Sequence, residues 1–378
     1  MYKRILRKIL EKKLFCGKAL VIVGPRQVGK TTLAEDLINN SEYKNNCLSF
    51  NCENYDEREK LTNVNLTFLK GLVEKKKIIF IDEGQKVETI GQTLKLLVDH
   101  YKTKKQIIVT GSSSLNLLDK TQEPLTGRKF VYRLYPLSLE EVHGKNDLLN
   151  LYKKLEEYLV FGLYPEVVKQ DSFNEKIEIL KELTSSYLYK DILEFQNIKS
   201  PDILMKLLKA LALQVGSEVS YHEVSSIIGL DLRTVERYVD LLEKNFIIFR
   251  LPPYSINKRR EISKMNKIYF YDLGIRNTLI NNLNRLDSRS DTGKLFENFM
   301  IIERMKYREY HKIYGDQFFW RTYDGSEVDL IEERDGKLFG FELKWKEKKY
   351  SRKPLKWLEY KGSSYKVITP KDLSGFVL

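Results

Sequence analysis

Long apolar runs are missing from this 378-residue chain, and so is any cysteine framework. No apolar stretch approaches the ~18 residues that a membrane span needs, so no membrane partner is expected. The first residues are basic and helical in pattern, without the apolar segment and cleavage site of a secretory signal. Cys16, Cys47 and Cys52 are odd in number, confined to the first part of the chain and free of metal-ligand spacing. A disulfide scaffold is thereby excluded, and reduced thiols in a cytoplasmic protein are expected. Alanine is scarce, with only Ala19, Ala34, Ala210 and Ala212. Lys, Ile and Asn are abundant instead, a bias that fits an AT-rich genome. No internal repeat or low-complexity segment is found.

What the chain does have is positive charge. Lys and Arg total 65 against 52 Asp and Glu, a net charge of +13. That balance favours a polyanionic partner, nucleic acid first. It recurs in residues 1–18, 256–267 and 343–361. Either a nucleic-acid footprint or solvated faces in a Lys-rich composition would produce it.

The segment Gly24-Pro25-Arg26-Gln27-Val28-Gly29-Lys30-Thr31 fits G-x-x-x-x-G-K-[ST]. The apolar run Leu20-Val21-Ile22-Val23 precedes it and the amphipathic stretch Thr32 to Ile38 follows. A Gly-rich turn between strand and helix aims backbone N–H groups and a helix N-terminus at a phosphate. Gly24, Gln27, Val28, Gly29, Lys30, Thr31 and Thr32 are the expected nucleotide contacts. Lys30 would reach the β- and γ-phosphates, and the Thr31 hydroxyl would help hold Mg²⁺. Arg26 and Gln27 would contact the nucleotide or shape the loop.

A second apolar run, Lys77 to Ile81, ends in Asp82-Glu83. Ligands bind at the carboxyl ends of strands in open α/β sheets. Asp82 is expected to hold the metal, directly or through water, and Glu83 to orient the attacking water. A third run, Gln106 to Val109, ends in Thr110-Gly111-Ser112-Ser113-Ser114, where a hydroxyl such as that of Ser112 would sense the γ-phosphate. Arg128 precedes a further strand. It is either a charge-stabilising Arg, from the same chain or a neighbour, or a solvated one. Strands are expected near 19–23, 47–51, 77–81, 106–110 and 130–134; the 47–51 strand falls between those of the phosphate loop and Asp82, which suits an ATPase sheet with a strand inserted between them.

Four regions follow: an α/β P-loop ATPase domain over 1–143, a helical connector over 144–200, a winged helix over 201–288 and an α/β domain over 289–378. In the winged helix, Ser220 and Glu223 open a second helix, Gly229 ends it, and Asp231 caps a third. Arg233 and Arg237 lie one turn apart on that third helix. It would enter a DNA groove or only pack against its neighbours; Glu236, Asp240 and Glu243 dilute its charge.

The last region places Asp335-Gly336 between two strand-like runs, a strong hairpin signal. With that turn, Arg334 faces Lys337, Asp329 falls opposite Glu342, and Glu327 opposite Lys344. Val328, Leu330, Phe339, Phe341 and Leu343 form the other, core face. Opposed carboxylates repel unless a cation lies between them. Asp329 and Glu342 would therefore bind Mg²⁺ or Mn²⁺, with Lys344 beside them and Glu297 as a further ligand. The bland reading is a solvated hairpin face.

These residues together resemble a known family: AAA-type P-loop ATPases of archaea and bacteria whose C-terminal half joins a winged helix to a domain similar to PD-(D/E)XK nucleases. The carriers are the phosphate loop, Phe80-Ile81-Asp82-Glu83-Gly84-Gln85, Thr110 to Ser114, Gly127-Arg128 and Leu134-Tyr135-Pro136-Leu137-Ser138. In the second half they are Tyr189-Lys190-Asp191-Ile192-Leu193, Tyr269 to Gly274, Gly293 to Asn298, Glu327-Val328-Asp329 and Glu342-Leu343-Lys344. The resemblance implies ATP at Lys30 and Thr31, Asp82 and Glu83 as metal and water residues, and a nuclease-like core at Asp329, Glu342 and Lys344 with Glu297 upstream. Val328 stands where the nuclease signature has Pro, and Phe161 to Pro165 departs from the Gly-Gly-Phe-Pro of the pattern. Three activities are expected to compete: ATP-driven DNA binding or processing, a regulatory nucleotide switch with a non-catalytic nuclease-like platform, and a ring-forming homo-oligomeric motor using Arg128 in trans.

Overall fold

A computed structural model describes residues 2–112, 121, 124–144, 146–187, 201–255, 265–322, 325–346 and 354–378. Ser113, Ser114, the Tyr189–Leu193 motif and the basic residues 258–264 and 348–353 lie outside them. The chain forms two compact units. The first is Met1–Pro136 with Lys244–Phe246, and the second is Leu137–Glu243 with Ile247–Leu378.

In the first unit, β1 (Ala19–Val23), β2 (Cys47–Asn51), β3 (Ile78–Asp82), β4 (Gln106–Gly111) and β5 (Lys129–Arg133) make one sheet in the order β2-β3-β4-β1-β5. Every pairing is parallel. The apolar runs predict this, because parallel strands are covered on both faces; β1 is buried along its whole length. The strand inserted between β1 and β3 is β4 rather than the 47–51 strand expected there, which as β2 lies at an edge. Helix α1 (Ile5–Glu11) precedes β1, and helix α2 (Lys30–Asn39) follows it. The carboxyl ends of β1, β3 and β4 lie side by side, with Val23 beside Gly111 and Ile81 beside Val109. That edge carries the phosphate-loop sequence, Asp82 and Ser112.

The second unit is mixed α/β. Helices Leu148–Phe161 and Phe173–Tyr187 pack on helix Leu273–Leu279. Helices Pro201–Leu213, Tyr221–Ile228 and Leu232–Lys244 lead to an antiparallel pair, β6 (Ile248–Leu251) and β7 (Lys267–Phe270). Ser220 caps the second of these helices by accepting the Glu223 N–H, and left-handed Gly229 ends it. Asp231 accepts the Thr234 N–H at the start of the third. Arg233 and Arg237 are exposed on that helix.

The rest is helix Thr292–Tyr310 and a sheet ordered β11-β10-β9-β8, from β8 (Asp316–Arg321), β9 (Glu327–Arg334), β10 (Lys337–Leu343) and β11 (Ser363–Ile368). The β9–β10 hairpin turns at Asp335 (φ 50°) and Gly336 (φ 70°), with Arg334 facing Lys337. Two successive positive φ values favour the Asp-Gly pair found here. One expectation needs correction. Phe318 pairs with Ile331 but Trp320 pairs with Val328, so β9 carries an extra residue there. A bulge of this kind reverses the alternation of faces. Val328 therefore joins Ile331, Leu338 and Trp357 in an apolar cluster, rather than the face of Leu330 and Leu343.

Candidate functional site

The loop from Gly24 to Gly29 is shaped by backbone constraints. A Cβ on Gly24 would lie 2.1 Å from the Leu134 carbonyl oxygen, so only glycine fits. Gly29 is left-handed at φ 91°, which glycine adopts without strain, and Gln27 is left-handed at φ 56°. Lys30 is buried, and its ammonium donates to the carbonyls of Gly24 (3.0 Å) and Pro25 (2.7 Å). Val28 is fully buried, while Gln27 and Thr32 face solvent. Arg4, ahead of α1, is buried too. Its guanidinium donates to the carbonyls of Val28 (2.9 Å) and Tyr135 (2.6 Å).

Asp82 closes the edge. Its carboxylate accepts from the Thr31 hydroxyl at 2.9 and 3.0 Å and from the Thr110 hydroxyl. Oxygen donors of this kind, one carboxylate and one hydroxyl, suit Mg²⁺ that takes its remaining ligands from phosphates and water. The residues present therefore fit the ion. Glu83 is held at φ 52°, ψ 41°, a left-handed conformation that costs a non-glycine residue energy and clusters at functional sites. Its carboxylate accepts from the Gln85 amide, which also donates to the Ser112 hydroxyl at 3.1 Å. Gln85 and Ser112 are both buried. Thr31, Asp82, Glu83 and Ser112 are thus drawn into one connected edge. Thr110 and Gln85, inside the strand-end segments that the sequence singles out, belong to the same neighbourhood, as does Arg4. Arg4 reads as one more residue of a basic segment.

Arg128 is not brought to this edge. It immediately precedes β5, whose Lys129 pairs with Ala19 at the start of β1. Its guanidinium pairs with Asp99. Five strand residues at ~3.3 Å each separate it from the phosphate-loop end, roughly 16 Å. A place beside this chain's own γ-phosphate is excluded by that register.

In the second unit, Asp329, Glu342, Lys344 and Glu297 do come together, with two lysines that sequence reasoning did not connect to them. The Lys344 ammonium is 2.5 Å from Glu342 and 4.0 Å from Asp329. Asp329 accepts the Leu343 N–H at 2.8 Å. Glu297 is buried; one oxygen accepts from Lys267 (3.1 Å) and Tyr269 (2.6 Å), and the other lies 3.4 Å from Lys294. Lys267 also pairs with Glu327. Burial pushes the Asp329 carboxyl up to about 7, with Glu297 and Glu342 adding to it against Lys267 and Lys344. Burial opposes the charge on Lys267, but Glu297, Asp329 and Glu327 hold its pKa above the usual lysine value. Oxygens already held by ammonium and N–H donors do not fit a divalent ion. Among the described residues no group of three or more His, Cys, Asp or Glu is placed to hold a metal. The expected metal at Asp329 and Glu342 is therefore not supported by the arrangement. Nor is any described helix long and apolar enough to cross a membrane.

A five-stranded parallel sheet with a phosphate loop after β1 and a carboxylate after β3 defines a P-loop nucleotide-binding domain. Residues 17–143 match the family model described as an AAA domain. The chain therefore carries an AAA P-loop ATPase domain, followed by matches to two domains of unknown function, DUF8612 over 152–286 and DUF4143 over 292–374. It is similar to uncharacterized protein MJ1544 of Methanocaldococcus jannaschii, at 27% identity over 98% of this chain and 86% of that protein. It is also similar to uncharacterized protein Rv2008c of Mycobacterium tuberculosis, at 26% over 89% and 72%. Among solved structures, it aligns with AMPPCP-bound DnaA from Aquifex aeolicus at 16% identity and TM-score 0.32, covering 63% of this chain and 86% of that one. For Pif1 helicase from Candida albicans the values are 10%, 0.27, 41% and 44%.

Proposed function

We propose that the protein binds ATP with Mg²⁺ at the carboxyl edge of its parallel sheet, hydrolyses it, and couples that cycle to nucleic-acid binding by its C-terminal half. The observation that carries the first part is the direct contact of the Thr31 hydroxyl with Asp82 beside the Gly24–Gly29 loop. Thr31 and Asp82 would hold Mg²⁺, which draws charge from the phosphates. The N-terminus of α2 and the loop amides bind the phosphate oxygens. Lys30 exchanges the Gly24 and Pro25 carbonyls for them. Glu83 orients the attacking water, and its strained backbone fixes where the carboxylate points. Ser112 faces the γ-phosphate and is tied to Glu83 through Gln85, so the presence of that phosphate and the readiness of the water residue are linked.

The nucleic-acid part is supported by the +13 charge and by the helix–helix–helix–hairpin order of residues 201–270. We read that order as a winged helix, with exposed Arg233 and Arg237 on its third helix. The final sheet with helix Thr292–Tyr310 is read as nuclease-like in architecture. A second reading, a regulatory nucleotide switch with a non-catalytic C-terminal platform, is favoured by the lysines that fill the carboxylate cluster. One experiment separates the two. The first reading expects ATP turnover to rise on adding DNA and DNA affinity to fall steeply with salt. A folded, nucleotide-binding protein indifferent to DNA at low salt refutes it in favour of the switch.

A further inference from the structure

We propose that Lys267 is the resident cation of the Glu297–Glu327–Asp329–Glu342 cluster, so this cluster holds no divalent metal and cleaves no phosphodiester by metal-assisted chemistry. The inference stands independently of the nucleotide site.

Lys267 lies in β7, and its side chain is only 2% exposed. A buried ammonium must be paired and hydrogen-bonded. Its partners are Glu297 and Glu327. Tyr269, two residues along the same strand, shares its face and donates to the same Glu297 oxygen at 2.6 Å. The position that β7 presents to the carboxylates is therefore filled by a protein cation and a phenol. On the hairpin side, Lys344 serves Glu342 and approaches Asp329. Lys294 completes Glu297.

Charge counting points the same way. Four carboxylates face Lys267, Lys294 and Lys344, an excess of at most one negative charge, smaller still where Asp329 is protonated. A divalent ion added to that set would turn it to an excess of at least one positive charge. It would do so beside a buried ammonium, where repulsion is poorly screened. Mg²⁺ would need carboxylate oxygens at about 2.0–2.1 Å. Glu297 spends its oxygens on Lys267, Tyr269 and Lys294, and Asp329 accepts the Leu343 N–H. Only Glu342 Oε2 is buried without a hydrogen-bond partner in this cluster. One such oxygen does not make a site. Lys344 belongs to the pattern that suggests a metal; Lys267 does not, and it is the residue that changes the outcome.

The test is Mn²⁺ binding by the full-length chain without nucleotide, followed by electron paramagnetic resonance of the free ion and by thermal melting. Asp82→Asn serves as the common background, so that Mn²⁺ at the other edge does not contribute. The background protein is expected to bind no Mn²⁺ at millimolar concentration. Adding Lys267→Met should lower the melting temperature and create one Mn²⁺ site. Mn²⁺ should then restore the melting temperature, and a further Glu342→Gln should abolish the restoration. Submillimolar binding of one Mn²⁺ by the background protein, lost on Glu342→Gln alone, overturns the proposal. That comparison needs no Lys267 variant to fold. A folded Lys267→Met that takes up no Mn²⁺ also counts against it, because the ammonium is then not what stands in the ion's place.

Discussion

Replacing Arg4 with Ala isolates one contribution to the phosphate loop. The guanidinium donates to the Val28 and Tyr135 carbonyls at 2.9 and 2.6 Å in a buried setting. A peptide plane is rigid and its C=O and N–H point in opposite directions. Holding the Val28 carbonyl therefore aims the Gly29 N–H the other way, and Gly29 is the left-handed residue that leads into α2. A hydrogen bond to a charged group contributes about 1.5–3 kcal/mol, so losing both should cost roughly 3 kcal/mol of stability. If one bond's worth, about 1.4 kcal/mol, is what keeps the loop in its binding conformation, the competent fraction falls tenfold and the apparent Kd for ATP rises tenfold. The assay is titration with a fluorescent ATP analogue, alongside thermal melts, for wild type, Arg4→Ala and Arg4→Lys. Lysine offers a single point charge in place of a fork, so Arg4→Lys should recover only part of the affinity. A lower melting temperature in Arg4→Ala with ATP affinity within twofold of wild type would refute the reasoning, and would leave Arg4 a prop for the fold alone.

Further outcomes follow from particular contacts. Gly24→Ala places a methyl group 2.1 Å from the Leu134 carbonyl oxygen, so nucleotide binding should be lost with at least ~2 kcal/mol of stability, measured by urea unfolding. Asp272 accepts N–H bonds from Leu163, Gly274 and Ile275. Burial nonetheless raises its pKa to about 6. A carboxyl raised in the folded state contributes fully below the unfolded value near 4 and loses that contribution as pH rises through 6, about 3 kcal/mol in all. Asp272→Asn should remove that part of the pH dependence between 4 and 6 in urea melts; an unchanged slope contradicts it. Glu332 is fully buried between Arg304, Arg308 and Arg334. Glu332→Gln should cost about 3–5 kcal/mol, because it strands buried guanidinium charge.

Local chemistry made much of this fold readable from sequence. The three apolar runs of the first unit became β1, β3 and β4, since a buried parallel strand is a continuous apolar segment, while the edge strands β2 and β5 are only partly buried. Asp335-Gly336 set the β9–β10 register, because few residue pairs accept two positive φ values. Asp82 and the phosphate loop came together because both end strands that are separated only by β4. What stayed hidden was long-range pairing of charge. Lys267 sits in a short strand at the end of the basic segment 256–267, yet it is buried against carboxylates distant in sequence. Glu332 carries no signal of its own in the sequence and is fully buried. For Arg128 the sequence leaves a phosphate role and a solvated one both open, and only the β1–β5 register reveals which end of the sheet it occupies. The bulge in β9 has no composition signal, and it moved Val328 to the other face.

Phosphate release from ATP by wild type, Glu83→Gln and Lys30→Ala, with binding of a fluorescent ATP analogue measured on the same samples, tests the central claim most directly. The account predicts Mg²⁺-dependent turnover in wild type, retained binding with stalled turnover in Glu83→Gln, and loss of binding in Lys30→Ala. Equal turnover by Glu83→Gln and wild type would contradict the role given to Glu83, and unchanged nucleotide binding by Lys30→Ala would contradict the site itself.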